Sequence, residues 1–150
     1  MPRTGPEYAQ SFLSHRSALL DLLEHLPEDQ GNFAAWEGAM TFKGLLDHLS
    51  SSSRRMRSMM AGQKPEPAQP SASFAEAKAA MQHDAPEIGG FLSSLTEDNL
   101  SRTVAAFGGM QMPISALVAG MLEHEIHHKG QIWMMARMIG VQPPMFARLG

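Results

Sequence analysis

The strongest constraint on the fold is a run of helical periodicity near the carboxyl end. Leu117, Met121, His124, His128, Gln131, Met135 and Met138 alternate steps of four and three residues, which puts them on one stripe of an α-helix facing a bundle interior. The run is bounded on both sides. Pro113 to Ser115 suits a helix start, and Gly140 followed by Pro143 and Pro144 suits a stop just beyond Ile139. A helix of this length buries its apolar side only against other helices, so the preceding chain must supply them.

It does so three times. Tyr8, Phe12, His15, Leu19, Leu22 and Leu26 mark a first helix ending near Pro27. Residues 28–40, with Gly31, Asn32 and Gly38, read as a connection in which Trp36 is placed to plug one end of the core. Thr41 is an N-cap for a second helix reaching about Met60, with Leu45, Leu46, His48, Leu49, Met56 and Met59 on it. Residues 61–72 hold Gly62, Pro65, Pro67 and Pro70 and read as a loop. Ser73 and Glu76 have the spacing of a capping box opening a third helix that ends near Leu95. Pro86 and the pair Gly89–Gly90 predict that this helix is kinked or split. Residues 100–112 carry a weak hairpin signal. The expected fold is all-α, an antiparallel four-helix bundle, with one domain over residues 1–150.

Composition narrows the chemistry. With 43% hydrophobic and 18% charged residues the chain is globular rather than disordered. It has no cysteine, so a metal must sit on His, Asp or Glu, and no thiol nucleophile comes from the protein itself. A formal charge of −3 gives no positive field for phosphate backbones, so nucleic acid is not an expected partner. No apolar run is long enough for a membrane span and the amino terminus lacks the apolar core of a secretory signal, which predicts a cytoplasmic protein. Most of the 13 methionines are expected as core filler.

Chemistry concentrates in the histidines. His124 and His128 lie one turn apart, and four residues advance a helix by only about 40° beyond a full turn, so both rings can point to one ion. His48, on the apolar row of the second helix, supplies a third imidazole from across the bundle. Three neutral imidazoles suit Zn²⁺, Ni²⁺ or Fe²⁺ and leave coordination positions open for water or substrate. His15, on the inward row of the first helix, is the one candidate for a fourth ligand, while His25 and His83 read as solvent-facing. Gln131 is placed to hydrogen-bond a ligand imidazole. His127, Asp47 and Glu125 read as outer groups or solvent-facing side chains, and Arg55 as a solvated cation that can meet an anionic substrate.

His124 to His128 also satisfies H-E-x-x-H, the zinc-protease string in which Glu125 would act as general base. Nothing after His128 is His, Asp or Glu, and the metzincin extension meets Gln131 and Met134 where it needs glycine and histidine. Protease function is therefore not expected.

The segment H-E-I-H-H-K-G-Q-I-W-M-M-A-R-M-I-G-V-Q-P-P, His124 to Pro144, resembles the closing motif of DinB-like (DinB/YfiT-like) proteins. The stretch T-F-K-G-L-L-D-H-L, Thr41 to Leu49, resembles their helix-two motif. The resemblance implies a four-helix bundle holding a divalent metal on three histidines, with His48, His124 and His128 in the ligand positions. Lys129 stands where arginine is commoner. It further implies a metal-dependent transferase that adds a small thiol, bacillithiol or mycothiol, to an electrophilic small molecule in detoxification or stress response. The metal, zinc or nickel, would favour the thiolate. A metal-dependent hydrolase that activates water on the same ligands is the alternative, and a non-catalytic metal-binding bundle is another. Ile132, Trp133, Met134 and Ile139 widen the apolar face of the last helix, which predicts a homodimer.

Overall fold

In the computed structural model, which describes residues 1–149, each of the first three long helices starts on a side-chain oxygen. Thr4 caps α1 (Gly5–Leu23) in a capping box with Glu7, Thr41 caps α2 (Phe42–Met60), and Ser73 caps α3 (Phe74–Ser94). A short α4 (Glu97–Ser101) leads into a hairpin of β1 (Thr103–Ala105) and β2 (Gln111–Pro113), with Val104 opposite Met112. The last helix, α5 (Ile114–Met138), lacks a side-chain cap, and its Ile114 N–H donates instead to the Arg102 carbonyl. It ends as its sequence predicts. Gly140 adopts φ 82°, Val141 N–H reaches the Ala136 carbonyl, and Gly140 N–H reaches that of Arg137, which together form a Schellman stop.

Four long helices make the bundle, and its helix order is not that of a simple meander. Arg16 donates to the Met81 carbonyl and Leu13 lies against Gly89, so α1 runs antiparallel to α3. Phe42 stacks near Phe74 and Arg54 pairs with Asp84, so α2 runs parallel to α3. One apolar cluster joins Leu19, Leu22, Phe42, Leu45, Leu49, Ile132 and Ala136, and a second joins Tyr8, Phe12, Met56, Met60, Leu117, Val118 and Met121. That pairing of ends makes α5 parallel to α1 and antiparallel to α2. The chain therefore runs up, down, down, up, with α1 neighbouring α3 and α5 rather than α2. Returning from the end of α2 to the start of α3 requires a crossover. Residues 61–73 make it: α2, at 19 residues, is about 28 Å long, and this segment can extend to about 40 Å. Its prolines favour that extension, and Ser71 pins its far end by donating to Asp47 from both its hydroxyl (2.6 Å) and its N–H (3.2 Å).

Three expectations are corrected by the fold. First, α3 is not split at Pro86 or at Gly89–Gly90. Pro86 and Gln82 both face solvent, so water can satisfy the Gln82 carbonyl that loses its partner, and Gly89 admits Leu13 of α1. Second, Trp36 does not plug the core but is 69% exposed. Phe33 takes that role, 5.7 Å from the ring of Phe42, while Trp36 opens a tight turn that includes Gly38 at φ 88°. Third, the methionines divide: Met56, Met60, Met81, Met121 and Met135 are buried, whereas Met40, Met110, Met134, Met138 and Met145 are exposed. Among the described residues, no helix is long and apolar enough to cross a membrane.

The inward face of α5 is broader than the predicted row. Leu117, Met121, His128 and Met135 are buried as predicted, and Val118, Leu122, Glu125, Lys129, Ile132 and Ala136 form a second buried line beside them, whereas Gln131 and Met138 are exposed and His124 is half-buried. Two charged residues thus lie in the core, level with buried Arg16 and between the two apolar clusters. Their partners explain it. Arg16 grips Glu125 with both forks, Nε to Oε1 at 2.6 Å and Nη2 to Oε2 at 3.0 Å. Lys129 Nζ donates to the Phe146 carbonyl and to His15 Nδ1 (2.7 Å), over the rings of Trp133 and Phe146. The tail beyond α5 folds back to provide that carbonyl. Trp133 Nε1 donates to the Pro144 carbonyl, while Arg148 N–H donates to the Ser14 carbonyl and Ser14 Oγ donates to the Arg148 carbonyl, joining tail and α1.

Two predictions follow from this polar layer. Glu125→Ala leaves the Arg16 guanidinium buried and unpaired, so urea unfolding should show a loss of about 3–5 kcal/mol, most of it recovered in Arg16→Met/Glu125→Leu. Burial pulls the Lys129 ammonium down to about 8 from its ordinary 10.5. Between those values the unfolded chain binds the proton that the folded chain has released, so stability rises with pH across this window. Thermal unfolding at pH 8 to 10.5 should show that rise in the wild type and a flat response in Lys129→Met.

Candidate metal centre

On α5 the residues at 124 and 128 look toward α2, while Glu125, turned by about 100°, looks toward α1. The antiparallel packing of α2 on α5 then sets His48 opposite both. The three rings stand edge to face with centroids 4.5–4.8 Å apart, and the same atom of each points inward. His48 Nε2 is 2.9 Å and His128 Nε2 is 3.1 Å from His124 Nε2. Ligands held about 2.0–2.1 Å from a metal are about 2.9 Å apart at a right angle and about 3.3 Å apart at the tetrahedral angle. The observed separations match that spacing.

Proton bookkeeping favours a cation over hydrogen bonds among the rings. His128 Nδ1 lies 2.7 Å from Gln131 Oε1, an acceptor, so Nδ1 carries the proton and Nε2 presents a lone pair. One N–H on His124 cannot point along two lines at once, so hydrogen bonding leaves a close nitrogen pair without a proton between them. A divalent ion would satisfy all three. Burial, reinforced by the neighbouring imidazoles, lowers the pKa of His48 and of His124, which keeps both rings neutral and available as ligands. Among the described residues, these three form a group whose donor atoms all lie within 4.8 Å of one another, with no fourth His, Asp or Glu joining it.

The other sequence candidates lie elsewhere. His15 is corrected from a fourth ligand to a partner of Lys129 and Phe146, its pKa lowered by burial and then by the Lys129 charge. Glu125 is neither solvent-facing nor beside the triad, since Arg16 holds it on the opposite flank of α5, where it cannot serve the protease role of the H-E-x-x-H string. Asp47 is half-buried on Lys43 and Ser71 and makes no hydrogen bond to a histidine. His127 is exposed, its ring 4.7 Å from that of His128, and His25 and His83 are exposed as expected. His83, Asp84 and Glu87 form a second loose group on the outer side of α3, where Arg54 approaches Asp84. Arg16 and Lys129 were absent from the sequence candidates. Their only advance signal is that Lys129 shares a four-three row with Val118, Leu122, Ile132 and Ala136.

Two cavities adjoin the triad, one on the crossover side of α2 and one between α2 and α5. One, of about 700 Å³, lies between α2 and the crossover, with His48, Ser52, Arg55, Lys64 and Pro67 on its walls. The other, of about 230 Å³, is apolar and is walled by Trp36, Met40, Leu45, Met134 and Met135, with Gln131 at its edge.

Known proteins share this architecture. The uncharacterized protein YjoA of Bacillus subtilis is 28% identical over 134 residues, 86% of this chain and 86% of its own length. The crystal structure of YjoA, a DinB-like protein, superposes with a TM-score of 0.78 at 25% identity, covering 95% of this chain and 99% of that one. A DinB-like protein from Bacillus cereus gives 0.81 at 19% identity, covering 96% and 98%. YfiT from Bacillus subtilis, described as a probable metal-dependent hydrolase with an unusual four-helix bundle topology, gives 0.72 at 15% identity, covering 92% and 89%. The sequence model of the DinB family matches residues 1–149, and with its bundle and paired-helix histidines this chain belongs to that family.

Proposed function

We propose that the protein is a metal-dependent hydrolase of a small molecule, with His48, His124 and His128 as ligands of one divalent cation, zinc or nickel. The observation that carries this reading is the convergence of three Nε2 atoms at ligand spacing, with no fourth His, Asp or Glu joining them among the described residues. Three ligands and an open position are the arrangement of catalytic rather than structural sites. The ion supplies Lewis-acid polarisation and lowers the pKa of water. Gln131 fixes the His128 ring and its tautomer, and the half-buried positions of His48 and His124 keep a path to solvent. The description of YfiT as a probable metal-dependent hydrolase supports the same reaction class.

A second reading is favoured by the cleft beside His48. At about 700 Å³, with Arg55 and Lys64 on its walls, it has room and charge for a large anionic thiol such as bacillithiol or mycothiol. In that case the three histidines serve thiol transfer to an electrophile. Adding the thiol separates the two: a hydrolase turns over activated esters in water alone, and a transferase turns over only when the thiol is present.

Protein purified without a histidine tag should carry one divalent ion per chain by elemental analysis. The His48→Ala, His124→Ala and His128→Ala variants should lose it while keeping their helical circular dichroism. Equal metal content in all four proteins contradicts the assignment. Gln131→Leu should retain the fold and weaken metal affinity by about tenfold to a hundredfold in a chelator competition.

A further inference from the structure

The two cavities meet α2 on either side of His48, one before it at Leu45 and the other from His48 onward, and their chemistry differs. Leu45 lies three residues before His48 and Gln131 three residues after His128, so the apolar pocket adjoins both helices' ligands one turn away. The cleft takes up on the other side with His48 itself and continues to Arg55 and Lys64. A substrate lying along α2 across the triad therefore meets an apolar wall at one end and, at the other, a cleft in which Arg54, Arg55 and Lys64 outnumber Glu66.

The apolar pocket has a definite size. A cavity of about 150 Å³ holds benzene, and whole drug-sized ligands need about 300–1,000 Å³. At about 230 Å³, this pocket takes one ring with its linking atoms and not an entire substrate. Its rim keeps apolar groups in water, Trp36 at 69%, Met134 at 61% and Met40 at 42% exposure, although the core lies directly beneath. Indole and thioether are the side chains that contact an aromatic ring most favourably.

We infer that this pocket receives a compact apolar group of the substrate, the size of one phenyl ring, and that the substrate's polar or anionic part extends from the triad into the cleft of Arg55 and Lys64. The inference rests on the hydrolase reading and names the substrate class for it: a small ester or amide with an aromatic or branched apolar group on one side of the scissile bond and a polar group on the other.

Hydroxamates test it, because they ligate a metal through one end and carry a variable arm at the other. For zinc-loaded wild type, 3-phenylpropionohydroxamate should bind about tenfold to a hundredfold more tightly than acetohydroxamate by calorimetry. Ala39 also lines the pocket, so filling it with Ala39→Phe should bring that ratio close to one, and Trp36→Ala, a change at an exposed site, should reduce it severalfold. A ratio near one in the wild type, or an unchanged ratio in both variants, overturns the inference. Absence of bound metal together with no acetohydroxamate binding marks failure of the triad reading instead. The pocket is then judged in metal-free protein titrated with phenol, which should alter Trp36 fluorescence in the wild type and not in Ala39→Phe. No alteration in the wild type overturns it. So does a dimer in sedimentation velocity in which phenol leaves Trp36 unaffected, since a second copy then occupies the face.

Discussion

The structure depends on a belt of polar side chains at mid-height in a bundle that is otherwise apolar at both ends. A buried charge or imidazole persists there only when each polar atom finds a partner. Arg16 and Glu125 solve this as a bidentate pair with the Met81 carbonyl as a third acceptor. Lys129 solves it by drawing the carboxyl-terminal tail back onto α1 and α5. The triad is the part of the belt that hydrogen bonds among its own groups do not complete, because three imidazole Nε2 atoms face one another on the α2 side of α5 and one proton on His124 cannot bridge both close pairs. The surrounding pairs hold α5 in the rotation that keeps those nitrogens together.

Topology places the surroundings of that site. The up-down-down-up order forces a long return from α2 to α3, and the return supplies one wall of the cleft beside His48. The connection from α1 to α2 is equally displaced from a short turn, because those helices are not neighbours. Its Trp36–Met40 segment walls the apolar pocket between α2 and α5. Both approaches to the triad are thus made by loops that the helix order demands, carried on a rigid frame.

Much of this was legible in the sequence because it rests on local rules. Thr41, Ser73 and Gly140 mark helix ends through single hydrogen bonds or one backbone conformation, and each does so in the structure. His124 and His128 meet because of helix geometry alone, and His48 needs only the antiparallel packing of two amphipathic helices. The remainder was hidden because it depends on which neighbour each face meets. Helix α5 buries two adjacent rows rather than one, so Lys129 lies inside beside His128 while Gln131 does not, and a single four-three row cannot show this in advance. Nothing local marks Glu125 as buried, because its partner Arg16 lies 109 residues away. Trp36 suits the core by size alone, whereas Phe33 fills that end of it. Pro86 spared α3 because its lost hydrogen bond falls on the solvent side, a fact about orientation rather than composition.

The central claim is that three imidazoles of two antiparallel helices bind a single cation through their Nε2 atoms. Crystals of zinc-loaded protein, measured on both sides of the zinc absorption edge, address it directly. The anomalous map should show one peak per chain, about 2.0–2.1 Å from the Nε2 atoms of His48, His124 and His128, with the remaining coordination taken by non-protein ligands. A peak on His83, Asp84 and Glu87 instead, or four protein donors around the ion, would contradict it.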